Sequence, residues 1–112
     1  MAYDAELAAR VRELIGEHAP AREQPMFGGL AFLVVNRMAV VASNRGGLMV
    51  RIDPAESEQF LKTTGAQPME MKGRTYRGWL HIDGEHVRTR RALKKWVAVG
   101  IDAAIARAAV AR

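Results

Sequence analysis

The chain has 112 residues, a formal net charge of +5, a sequence pI of about 10.2 and no cysteine. With 49% hydrophobic and 26% charged residues it falls in the globular class, and its length suits one domain over residues 1–112 with a single core. The lack of cysteine excludes disulfides, thiolate metal sites, iron–sulfur clusters and cysteine nucleophiles, while the basic balance favours anionic partners, nucleic acid and acidic proteins among them.

The N-terminus carries Asp4 and Glu6 and no long apolar segment, which argues against a secretory signal. The longest purely apolar run, Leu30 to Val35, is too short to span a bilayer. The expectation is a soluble, cytoplasmic protein without a membrane segment.

In chain order, residues 4–17 read as an amphipathic helix. Leu7, Val11, Leu14 and Ile15 share one face, Asp4 is placed to cap the start, and Gly16 and Pro20 end it. Residues 24–52 read as a three-stranded meander. "LAFLVV" and "MAVVAS" are joined by a tight turn at Asn36-Arg37, and "SNRGG" turns the chain into "LMVRI". A short strand before Gly28 is a further option. "DPAESEQFLKTTG" then carries a helix start, with Asp53 as cap and Pro54 at the first helical position. "PMEM" and "YRGWLHID" follow as two more strands around Gly73.

The last element, roughly Arg90 to Val110, is the longest helix. Leu93, Trp96, Val97, Gly100, Ile101, Ala104, Ile105 and Ala108 form its apolar stripe, with Thr89 as the cap. Gly100 on that stripe suits a close approach to a sheet, at some cost in helix propensity. The order α-β-β-β-α-β-β-α predicts a two-layer α+β fold with an antiparallel sheet of about five strands. "LAFLVV" and "MAVV" are apolar at consecutive positions, so part of the second sheet face should be covered too, by the long helix or by a second subunit. A two-fold homodimer is the expectation.

Few motifs carry chemistry. Gly28-Gly29 leads into a strand rather than a helix, so it lacks the helix N-terminus that a phosphate cradle needs. It reads as a turn or bulge where a Cβ would clash. His81 and His86 have no third ligand at a metal-binding spacing. Ser43, Ser57 and the threonines lack an elbow motif. No catalytic residue, metal site or cofactor site is predicted. The exception is "VRTRRALKKW". It sets Arg88, Arg90, Arg91, Lys94 and Lys95 at the start of the last helix, where cations oppose the macrodipole. A broken local rule can mark function, and this patch is the candidate contact for nucleic acid or an acidic partner. Arg45, Arg51, Arg74 and Arg77 are candidates to extend it.

"MFGGLAFLV", "GGLMVRI", "PMEM" and "RGWLHID", flanked by an N-terminal helix and a helix carrying "LKKWV", resemble the N-terminal domain of the TfoX/Sxy family. The likeness runs from about Asp4 to Ala108 and implies an α+β fold. Full-length members are similar to bacterial regulators of natural competence, are thought to assist a cyclic-AMP receptor protein, and carry a second domain. This chain resembles the stand-alone N-terminal-domain proteins. Some of these are described as RNA methyltransferases, but no glycine-rich cofactor loop accompanies the match here. The shared motif residues Met26, Phe27, Gly28, Gly29, Gly47, Gly78 and Trp79 are expected to determine the fold rather than act in catalysis. The resemblance implies a non-enzymatic regulatory domain that binds a protein partner such as a transcription factor. A nucleic-acid-binding module built on the basic patch is the alternative.

Overall fold

A computed structural model describes residues 3–26 and 28–110. Three α-helices, α1 (Ala5–Gly16), α2 (Ser57–Thr63) and α3 (Arg90–Val110), accompany six strands: β1 (Ala21–Met26), β2 (Gly29–Val34), β3 (Arg37–Ala42), β4 (Leu48–Arg51), β5 (Gln67–Met71) and β6 (Arg74–Ile82). The strands form one antiparallel sheet in the order β1-β2-β3-β4-β6-β5. The α+β class and the antiparallel sheet follow the sequence expectation, with one strand more than five.

The additional strand is β1, which pairs along its whole length with β2, Met26 opposite Gly29 and Ala21 opposite Val34. "AREQPM" shows no apolar alternation because β1 is an exposed edge strand. Pro25 is tolerated there because one side of an edge strand needs no ladder hydrogen bonds.

The helix starts rest on side-chain caps. Asp4 Oδ1 accepts from the backbone N–H groups of Glu6 and Leu7 at 2.9 and 3.1 Å. Thr89 Oγ1 accepts from the Ala92 N–H at 3.1 Å. Asp53 Oδ1 accepts from the Ala55 N–H at 3.0 Å, but it opens a 3₁₀ turn over Pro54–Glu56, and α2 begins only at Ser57.

The turn between β2 and β3 sits one residue earlier than the sequence suggests. Val34 pairs with Arg37, so the two-residue loop is Val35-Asn36, with φ of 46° and 63°. Positive φ at both positions gives the twist a hairpin needs. Arg37 is thereby freed to start β3 in extended conformation.

One sheet face holds Leu30, Phe32, Val34, Val40, Ala42, Leu48, Val50, Leu80 and Ile82, and α1 and α3 bury it. Helix α3 lies across β2, β3 and β4. A bulge in β3, where Val40 pairs with Phe32 and Met38 with Leu33, leaves Ala39 as the extra residue. Gly100 rests on that bulge, and a Cβ there would run into the Ala39 carbonyl oxygen and come within 2.7 Å of Val40 Cγ1. The stripe of α3 is buried from Leu93 to Ala104, but Ile105 is 48% exposed. The helix runs past the sheet at that point, which corrects the longer stripe expected from spacing.

The other face carries Ala31, Leu33, Val41, Met49, Met69 and Trp79, all buried, with Met26 and Met38 partly buried against them. Among the described residues no helix residue belongs to this cluster. The Arg51 side chain lies over Trp79 and adds to its cover. Consecutive apolar residues in β2 are therefore buried on both faces within one chain.

Candidate functional site

Alternation along the strands assigns residues to the open face. In β4, Leu48 and Val50 face the helices, so Met49 and Arg51 face away. In β6, Leu80 and Ile82 face the helices, so Trp79 and His81 face away. Arg51 and Trp79 are direct cross-strand partners, and the Arg51 guanidinium lies over the indole ring at 5.3 Å from its centroid.

At this end of the sheet lies a hollow of about 270 Å³, lined by Met26, Leu33, Met38 and Trp79 together with Asn36, Arg37, Arg51 and Arg107. Its lining comes from five strands, the β2–β3 turn and α3. The floor is apolar and rich in methionine, a side chain that adapts to varied partners. The rim is cationic. Among the described residues, Arg37, Arg51 and Arg107 have no carboxylate within ion-pair distance, and Arg37 reaches only the neighbouring Asn36 carbonyl at 3.5 Å. Arg51 Nε is buried without a hydrogen-bond partner. Burial, and then the nearby charge of Arg107, push the Arg51 guanidinium toward lower proton affinity.

A second hollow, about 250 Å³, lies on the same face between the β3–β4 turn and the β5–β6 hairpin. Arg45 spans it, donating from Nη1 to the Glu70 carbonyl at 3.4 Å. His81 stands in it, with Nε2 3.2 Å from the Gly46 carbonyl oxygen and Nδ1 3.4 Å from Asp83 Oδ1. His86 is elsewhere, packed against Gly65. Among the described residues no group of three or more His, Asp or Glu is arranged to hold a metal ion.

The basic patch of α3 is divided. Arg88, Arg90, Arg91, Lys94 and Lys95 are all exposed. Arg90 Nη2 donates to Glu17 Oε2 at 2.8 Å, and Arg90 Nη1 lies 3.7 Å from Glu13 Oε1. Each of these helix ends carries charge of the wrong sign for its own dipole, acidic at the C-terminal end of α1 and basic at the N-terminal end of α3. Crossing the two lets each charge answer the other. The Arg90 hydrogen bond holds the Glu17 carboxyl below the usual glutamate range. Arg10 Nη2 donates to the Arg88 carbonyl at 2.9 Å, and Lys95 Nζ lies 5.8 Å from the centroid of the Trp96 ring. Arg91 and Lys94 form no ion pair among the described residues.

The motif residues take structural positions. Gly28, with φ of 72°, is a corner of the β1–β2 hairpin, and a Cβ on Gly29 would run into the Ala42 carbonyl oxygen. A Cβ on Gly47 would meet the Ile82 carbonyl, and Gly78, with φ of 85°, lies within β6 beside Trp79. Phe27 lies outside the described residues. Met26 and Trp79 belong to the hollow as well as to the fold.

Of the hollow's rim, Arg51 was within reach of sequence reasoning. It alternates with Met49 in a strand whose other residues are apolar, which places a charge on a face that should be greasy. Arg37 was hidden by the one-residue shift of the turn. Arg107 gave no signal, because its position depends on where α3 crosses the sheet.

A six-stranded antiparallel sheet, with helices packed on one face and an arginine-rimmed hollow at one end of the other, makes this a small α+β domain. The model of the family described as the TfoX N-terminal domain matches residues 13–104, and the chain belongs to that family. It is a family of regulatory type and not a known enzyme family. No curated protein matches the chain.

Proposed function

We propose that this chain is a non-enzymatic interaction domain that binds a protein partner through the open face of its sheet. Its regulatory setting is that of TfoX-like proteins, with a transcription factor as the kind of partner. The observation that carries this reading is the hollow at one end of that face: partly buried Met26 and Met38 over buried Leu33 and Trp79, rimmed by Arg37, Arg51 and Arg107, which among the described residues have no carboxylate within ion-pair distance. Concave surfaces that join an apolar floor to a few convergent charged groups are the usual form of a recognition site.

The test is site-specific photocrosslinking in the native cell. A photoreactive residue at Met38, on this face, is compared with one at Glu58, on α2, with nuclease present throughout. The expected result is a defined protein adduct from position 38 that is absent from position 58. Equal or absent adducts at both positions would remove the reading.

A second reading has its own support. Arg88, Arg91, Lys94 and Lys95 on α3, and Lys72, Arg74 and Arg77 around the β5–β6 turn, are exposed cations of the kind that contact phosphates. On this reading the chain is a nucleic-acid-binding module, and nuclease treatment would abolish its associations.

A further inference from the structure

We propose that the trough takes an acidic segment of the partner, with a carboxylate seated among Arg37, Arg51 and Arg107 and an adjacent aliphatic side chain against the partly buried Met26 and Met38, which lie over the buried Leu33 and Trp79. This inference rests on the interaction-domain reading above and names what that face recognises.

Three observations select this occupant. Among the described residues the lining has three arginines and no acidic residue, so it is complementary to negative charge. Arg51 already lies over the Trp79 ring, and Trp79 is only 7% exposed, so the indole is not a free platform for stacking a base. A nucleic-acid strand would satisfy the arginines but bring no aliphatic side chain to Met26 and Met38. A second copy of this chain is also a poor fit. The chain carries 17 Lys and Arg against 12 Asp and Glu, so two copies repel each other. Arginine suits the role because its planar fork binds a carboxylate through two parallel hydrogen bonds, and Arg51 has an Nε–H without a partner.

The test is an NMR titration of the whole chain, reading the Arg51 Nε–H, the Trp79 indole N–H and the Met38 methyl. The probe is a blocked Glu-Leu-Asp-Leu-Glu peptide. The comparison ligands are the neutral Gln-Leu-Asn-Leu-Gln peptide, glutarate, inorganic phosphate and oligothymidylate. The acidic peptide should shift all three signals saturably, and added salt should weaken it. Arg51→Met and Arg107→Gln should each lower its affinity by about tenfold or more. Arg91→Gln should leave it unchanged. Arg107 is exposed in the last turn of α3, so its variant tests the rim even where Arg51→Met disturbs the sheet.

No shift at millimolar acidic peptide, or an equal shift by the neutral peptide, would overturn the proposal. So would glutarate or phosphate binding as well as the peptide, since the apolar floor would then contribute nothing, and so would tighter binding of oligothymidylate at the same signals. If position 38 still crosslinks a partner protein while both arginine variants leave that adduct intact, the interaction reading stands and the acidic-segment inference fails.

Discussion

Two glycines in helices show how one substitution can have opposite effects. Gly16 closes α1 with open space around it, while Gly100 sits on the Ala39 bulge with backbone against it. Alanine at position 16 should stabilise the chain by roughly 0.5 kcal/mol through helix propensity and reduced freedom of the unfolded chain. Alanine at position 100 gains the same propensity but forces α3 away from β3, and should destabilise by about 1–3 kcal/mol net. Urea denaturation of the two variants, compared at equal slope, checks both signs. Val35 is a third informative residue. It is 55% exposed at φ 46°, a conformation that a β-branched side chain adopts only under strain. Val35→Asn should raise stability by about 1 kcal/mol, because asparagine tolerates the left-handed region. A lowered melting temperature would show that Val35 packs productively against Ile105 and Ala108, its neighbours in a shallow hollow at the end of α3. The sequence signalled Gly100 through its place on the apolar stripe. It did not signal Val35, because the shift of the hairpin loop depends on the pairing of Val34 with Arg37 rather than on local composition.

At the scale of elements, α1 is held to its neighbours by two exposed clamps: Arg12 donates to Glu23 on β1, and Arg90 on α3 donates to Glu17. Hydrogen bonding from the arginines lowers the proton affinity of both carboxyls, Glu23 by Arg12 and Glu17 by Arg90. An unfolded glutamate titrates near about 4.3, and the folded ones titrate below that. Between the two values the unfolded chain binds more protons, so stability rises with pH there. The contribution is present above the unfolded value and is lost as pH falls through the folded ones. Urea midpoints followed downward from neutral pH should drop in this acid window, and the double variant Glu17→Gln/Glu23→Gln should flatten the drop. An unchanged slope would show that the clamps do not hold in solution. The helices themselves were legible, since Asp4 and Thr89 cap where their spacing places them. The clamps were not, because Arg90 and Glu17 lie 73 positions apart in the chain. β1 was only an option, because an exposed edge strand owes its form to its partner.

For the whole molecule, the question is how the positive charge is divided. The trough arginines converge from β3, β4 and α3, whereas Arg88, Arg91, Lys94 and Lys95 spread over the exposed start of α3. If α3 binds nucleic acid, neutralising those four should reduce the slope of log affinity against log salt, by up to roughly 0.9 for each phosphate that no longer meets a cation. An unchanged slope would leave the patch as a solvated surface. The sequence by itself determined the fold class, the caps, the family, and the presence of unusual charge on strands and helices. These depend on local periodicity and on residue types next to one another. Only the tertiary structure decided which charges matter together. It tied Arg90 to α1, shifted the Val35-Asn36 turn so that Arg37 entered β3, and carried α3 past the sheet so that Arg107 joined Arg51 and Trp79 in lining one hollow. A site whose parts come from distant strands and a helix end exists only after sheet curvature and helix position are set, and those are properties of packing that no single stretch of sequence encodes.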